Sequence, residues 1–205
     1  FYNFTTPEFN VNICLLPFWS ATVYYAWKSY KEDKFLYWVL FGIFAAIGFL
    51  SKYLFVYLLA GIGIFFIIFI IKNKKFNFKY LLPILFFAAV ISPHIIWLFK
   101  NEYITILYAI NRTSLENSGV IDHFLFPTFF ILKQIIIITP FILMLVILLK
   151  KIKINFKIND KKLLFLLSIN VLPIFLIFLT SVITGAYIRT MWMTPFYLFP
   201  GIFFL

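Results

Sequence analysis

The chain has 205 residues, of which 64% are hydrophobic, 23% aromatic and only 12% charged. Soluble domains carry about 45–50% apolar and about 25% charged residues, so this composition excludes a soluble globular fold and equally a disordered one. The formal charge of +11 does not mark a nucleic-acid binder, because the lysines fall in short clusters between apolar runs, as membrane topology is encoded. The expected class is all-α, a polytopic transmembrane helical bundle.

The first span is expected at residues 9–27, entered through Thr5-Thr6-Pro7-Glu8. Proline suits a first helical turn and a carboxylate there complements the helix dipole; Glu8 is also a candidate general base at the membrane surface. The single cysteine, Cys14, lies in this apolar run and excludes a disulfide framework. Spans at 35–50 and 53–71 follow, separated only by Ser51 and Lys52, which predicts a tight helical hairpin. Position leaves two readings of Lys52 open: an interfacial lysine that snorkels, or a point charge for a lipid phosphate at the same depth.

The fourth span, at 80–99, contains Ser92-Pro93-His94. Pro93 frees a backbone carbonyl, and a histidine within a span faces the protein interior or a polar cavity rather than lipid. Lys100-Asn101-Glu102-Tyr103 continue this face into a loop, where Glu102 either joins a site or is a solvated charge. Spans at 130–149 and 163–184 bring the count to six, with Lys133 expected to snorkel from the first turn of the former. Arg189, in Tyr187-Ile188-Arg189-Thr190-Met191-Trp192, offers a planar fork suited to phosphate or carboxylate. The 12 residues from 194 to the end fall short of the roughly 20 needed for a crossing and are expected to start a truncated seventh span. The chain therefore reads as one transmembrane domain, 1–205: an internal fragment lacking earlier spans with a first outer loop, and a C-terminal remainder.

Orientation follows from the basic residues. One set of alternate loops holds thirteen of the eighteen: Lys28, Lys31, Lys34, Lys72, Lys74, Lys75, Lys79, Lys150, Lys151, Lys153, Lys157, Lys161 and Lys162. By the positive-inside rule these are cytoplasmic, and they read as plain anchors that touch membrane lipids. The other face has both arginines, both histidines (His94 and His123) and the carboxylates Glu8, Glu102, Glu116 and Asp122. Chemistry in this chain is expected on that outer face. There is no P-loop, no Gly-rich dinucleotide fingerprint and no metal-ligand spacing, so no cofactor is expected.

The order Thr6-Pro7-Glu8 before a span, Gly48-Phe49-Leu50-Ser51-Lys52-Tyr53 between paired spans, and Ser92-Pro93-His94 followed by Trp97 resembles the bacterial family 39 glycosyltransferases. These are similar to protein O-mannosyltransferases and to the aminoarabinose transferase of lipid A, and share the membrane fold called GT-C. The resemblance implies transfer of a sugar from a polyprenyl or dolichyl phosphate carrier to a lipid, glycan or protein acceptor, without a cofactor. It implies a multi-pass protein of the bacterial inner membrane with its active face periplasmic. Such enzymes place an acidic catalytic residue in a first outer loop, before the spans seen here. Glu8 matches a second acidic position, where the family often has Asp, and is the candidate catalytic carboxylate of this chain. Lys52, Tyr53, His94, Glu102 and Arg189 are the implied substrate-binding residues. Lys52 and Arg189 would meet the phosphate anion that develops in a partly dry site, and the prenyl chain would lie between aromatic-rich helices.

Two rival classes remain at this level. A secondary transporter would show inverted repeats and polar groups near the bilayer midplane; no repeat is visible, and the polar residues gather at one face. A noncatalytic assembly subunit is the second. A polysaccharide polymerase or ligase would carry an arginine-rich outer loop, whereas the stretch from Lys100 to Asp122 has only Arg112.

Overall fold

The computed structural model describes residues 9–74, 76–113, 119–149 and 160–204, and all regular structure among them is helical. The described residues form seven α-helices: α1 (Val11–Glu32), α2 (Phe35–Ser51), α3 (Val56–Asn73), α4 (Leu82–Lys100), α5 (Ile104–Arg112), α6 (Asp122–Leu149) and α7 (Lys161–Thr184). Among the described residues four helical segments are long and apolar enough to cross a membrane: Tyr53–Asn73, Phe78–Lys100, Asp122–Ile147 and Lys161–Thr184. The α2 helix is apolar but has 17 residues. α1 is 22 residues long and is not among the four; it ends with the charged Lys28, Lys31 and Glu32. The class is thus a multi-helix membrane protein.

Local chemistry sets the turns. Asn10 caps α1, its Oδ1 accepting from the Asn12 amide at 2.9 Å, as short polar side chains do at a helix start. α1 stops at Asp33, which takes the left-handed region (φ 47°) and donates its N–H to the Ser29 carbonyl, so that α2 returns antiparallel after Lys34. Lys52 is extended and ends α2; a 3-10 turn over Tyr53–Phe55 then opens α3. The expected tight hairpin is present. Gly185 (φ 67°) ends α7, as glycine does where a helix closes left-handed.

Two expectations change. Residues 122–129 extend the helix expected at 130–149, despite Pro127, so α6 begins at Asp122. Lys133 consequently sits about three turns inside α6 rather than in its first turn. Beyond Thr184 the chain forms 3-10 turns over Thr190–Tyr197 and Pro200–Phe204 instead of the start of a regular α-helical span. Pro195 and Pro200 lack the amide hydrogens that a continuous helix would use.

α1 packs on α2, α2 on α4, α3 on α7, α6 on α7, and the Thr190–Tyr197 segment lies against α1. The core between them is aromatic: Trp19 is fully buried, edge-on to Phe55 at 5.3 Å and tilted on Phe196 at 5.0 Å. Small residues permit the close crossings usual where lipid supplies no hydrophobic drive between helices. A Cβ on Gly61 would fall 2.2 Å from the Ser168 carbonyl oxygen, and one on Gly48 would fall 2.5 Å from the Phe55 ring. Gly61 permits the close approach of α3 to α7, and Gly48 that of α2 to the Tyr53–Phe55 turn.

Candidate functional site

The bundle has two ends of different chemistry. At one end lie the turns after α1 and α3. Here Glu32 pairs with Lys28 and, at 2.9 Å, with Lys34. Asp33 accepts from Lys79 Nζ at 2.8 Å and from Trp38 Nε1 at 2.9 Å, and Lys79 also donates to the Asp33 carbonyl. The α1–α2 turn is thereby clasped to the start of α4. Lys28, Lys34 and Lys79, expected as plain anchors, are therefore ion-paired. Lys75, Lys150, Lys151, Lys153 and Lys157 lie outside the described residues.

At the other end meet the start of α1, the Ser51-Lys52 turn, the end of α4 and the start of the Thr190–Tyr197 segment. Lys52 Nζ donates to Asn12 Oδ1 at 2.7 Å and lies 5.1 Å from the centre of the Trp192 ring. Among the described residues no carboxylate pairs with it. Burial pushes the Lys52 ammonium down from its ordinary value to about 8, because the charged form loses water. The C-terminal end of α2, which Lys52 follows, favours a cation, and the Trp192 face adds a cation–π contact. This is an ammonium held in place by neutral groups, with its charge uncompensated by the described part of the chain.

Beside it stands a hydrogen-bonded cluster. The Tyr53 hydroxyl lies 2.7 Å from His94 Nε2 and 2.7 Å from Thr105 Oγ1; with one proton to give, it donates to one and accepts from the other. His94 is half-buried and stacks on Trp97 with ring centres 5.7 Å apart and planes 14° apart. The hairpin turn, the Pro93 region and α5 are thus joined through one phenol.

The other sequence candidates divide. Arg189 starts the Thr190–Tyr197 segment, its carbonyl accepting from the Trp192 amide at 3.0 Å, and its Nε is buried without a hydrogen-bond partner. It therefore sits one turn from the ring that covers Lys52. Glu102 is exposed, in the left-handed region (φ 50°), and is not brought into the cluster. Glu8 lies outside the described residues. His123 contacts the Val182 carbonyl at 2.9 Å through Nδ1, and no group of His, Cys, Asp or Glu among the described residues has the arrangement of a metal site. Lys133 donates to the Tyr187 hydroxyl at 3.1 Å, and neighbouring Gln134 accepts from the Tyr197 hydroxyl at 2.6 Å.

Sequence reasoning missed Asn12, which is 3% exposed. An asparagine in an apolar span needs a hydrogen-bonding partner, which was the available signal. An apolar cavity of about 290 Å³ lies between α1 and α7, lined by Trp27, Phe165, Ile169, Phe199 and Ile202 among others, with Lys162 at its rim. It belongs to the half of the bundle remote from Lys52.

The described helices thus combine apolar segments of membrane-crossing length with a confined ammonium, unpaired by any described carboxylate, beside a Tyr–His cluster. Residues 1–97 match the family model described as Dolichyl-phosphate-mannose-protein mannosyltransferase. That match, over just under half of the chain, bears out the resemblance read from the sequence: this stretch is similar to the mannosyltransferase family. It includes Asn12, Lys52, Tyr53 and His94 and stops short of Glu102 and Arg189. No curated protein and no solved structure matches the chain.

Proposed function

We propose that the chain is the membrane part of a glycosyltransferase that moves a sugar from a polyprenyl phosphate carrier to a lipid, glycan or protein acceptor. The Lys52 end is the donor-phosphate site, and by the distribution of lysines it faces outward, to the periplasm if the source is bacterial. The observation that carries this reading is the Lys52 ammonium fixed between Asn12 and Trp192 with no carboxylate among the described residues, inside the stretch that matches the mannosyltransferase family.

The chemistry is a displacement at the anomeric carbon. The acceptor hydroxyl attacks C1 and loses its proton to a base, while the C1–O bond breaks and polyprenyl phosphate leaves with the electron pair. Negative charge grows on the phosphate, so a cation already in place lowers the barrier without reorganising at the moment of reaction. Lys52 fills that role, and Arg189, one turn from Trp192, supplies a second cation. The Tyr53–His94 pair hydrogen-bonds the phosphate or the sugar. Glu8, four residues before Asn12 in the sequence, is assigned to the acceptor proton, with Glu102 at the edge of the acceptor side.

The test uses the purified protein in proteoliposomes, with mannosyl polyprenyl phosphate labelled in the sugar and a nucleotide sugar as control. Label should pass to an acceptor, or be released as free sugar, only from the lipid-linked donor. Uptake of solute without donor consumption would overturn the reading in favour of a transporter.

A further inference from the structure

The Lys52 ammonium has an unusual partner for a buried cation. Fixed lysines usually meet a carboxylate, as Lys28, Lys34 and Lys79 do at the opposite end. Lys52 meets the neutral side chain of Asn12, which is itself almost fully buried in the first turn of α1. Because an ammonium only donates, the atom it meets must be the amide oxygen. That one acceptor has two consequences. It takes one of three N–H groups and so fixes the direction of the others, and it stabilises the charged amine without neutralising it. A carboxylate in the same place would cancel the charge that an incoming phosphate needs, and an apolar residue would leave the ammonium with only the Trp192 face.

We propose that Asn12 is a positioning residue: its side-chain oxygen orients the Lys52 ammonium and keeps it charged but unneutralised, so that it can receive a lipid-linked phosphate. The inference rests on the donor-phosphate reading of this end. Burial, which lowers the Lys52 pKa to about 8, makes the loss or gain of one acceptor readable near neutral pH. Of the titratable or charged groups on the elements around Lys52, Arg189 lies one turn before Trp192, Tyr53 and His94 are bonded to each other, Cys14 follows Asn12 by two residues on α1, Tyr197 gives its hydroxyl to Gln134, and the charged residues of α1 lie at its far end. Glu8 precedes Asn12 in the sequence, outside the described residues, so a Glu8→Gln background serves as its control.

The experiment compares wild type with Asn12→Asp, Asn12→Leu and Asn12→Ser in the purified, reconstituted protein. Two readouts are followed. One is the pH dependence of Lys52 acetylation by acetic anhydride, measured by mass spectrometry of the peptide. The other is KM and kcat for mannosyl polyprenyl phosphate against pH. In Asn12→Asp the acetylation midpoint should rise by about one pH unit or more, since an opposite charge favours the ammonium, while KM for the donor rises about tenfold. In Asn12→Leu the midpoint should fall and the alkaline limb of transfer move down with it. Asn12→Ser, which keeps a neutral acceptor, should restore most of the wild-type midpoint. A variant that fails to give monodisperse protein is set aside, and the remaining ones carry the test. An Asn12→Leu or Asn12→Asp midpoint equal to that of wild type would overturn the inference. Shifted midpoints in a protein that consumes no lipid-linked sugar would leave Asn12 as the residue that tunes Lys52 and count against the glycosyltransferase reading.

Discussion

The two ends of the helical bundle treat their lysines in opposite ways. At the Asp33 end, Lys28, Lys34 and Lys79 are matched by Glu32 and Asp33, and the result is a clasp between turns. At the Lys52 end a more deeply placed ammonium meets an amide oxygen and an indole face. Pairing a cation with carboxylates satisfies it and leaves little for a ligand. Holding it with neutral groups keeps its field available, at a cost that shows in the lowered pKa of Lys52. The same residue type thus serves as a fastener at one end and, on the proposed function, as a binding group at the other.

Breaking this asymmetry has graded consequences. The largest belongs to Lys52→Ala, which removes the cation itself: kcat for transfer from a lipid-linked donor should fall by about 100-fold, the order seen when one fixed charge-stabilising donor is lost. Tyr53→Phe separates His94 from Thr105 but leaves the ring in place. The transfer rate should fall by about three- to tenfold, as expected for one hydrogen bond of modest net worth.

A pH titration sharpens the contrast without mutation. The folded pKa of Lys52, about 8, lies below its ordinary value of 10.5. Transfer should therefore decline as pH rises through about 8, because the ammonium is lost. Folding stability attributable to Lys52 should move the other way, rising between about 8 and 10.5, because there the unfolded chain binds more protons than the folded one. Opposed slopes in a transfer assay and a thermal melt are the signature. The smallest effect is expected at the clasp. Asp33→Asn removes an exposed ion pair worth about 0–1 kcal/mol, so the melting temperature should drop by about 1–3 °C while transfer per folded molecule stays unchanged.

Much of this arrangement is legible in the sequence, for identifiable reasons. Membrane class and most helix positions follow from apolar runs, and the two-residue gap at Ser51-Lys52 leaves no geometry but a tight turn. His94 after Pro93 stands out because a span rarely carries an unpartnered ring nitrogen. Asn12 was illegible in its role, since nothing local connects it to Lys52 forty residues on; the antiparallel return of α2 along α1 creates the contact. The depth of Lys133 does not follow from the sequence because Pro127, in a mixed stretch, masks the first two turns of α6. Arg189 stands out in the sequence as a planar cation, but its nearness to the Lys52 cover depends on the 3-10 turn that brings Trp192 round. Glu102, a charge next to the His94 helix in sequence, is exposed in a turn where Glu102 and Tyr103 are two consecutive left-handed residues, a backbone reversal that no residue type there announces.

The central claim is that Lys52 receives the phosphate of a lipid-linked sugar. Its most direct measurement is the protection of Lys52 from acetylation at pH 8 as polyprenyl phosphate is titrated into the reconstituted protein, with the non-phosphorylated polyprenol as control. Saturable protection of Lys52 by the phosphate is expected, absent with the alcohol and unmatched at Lys79. Equal acetylation of Lys52 with and without polyprenyl phosphate, in protein that consumes the donor, would contradict it.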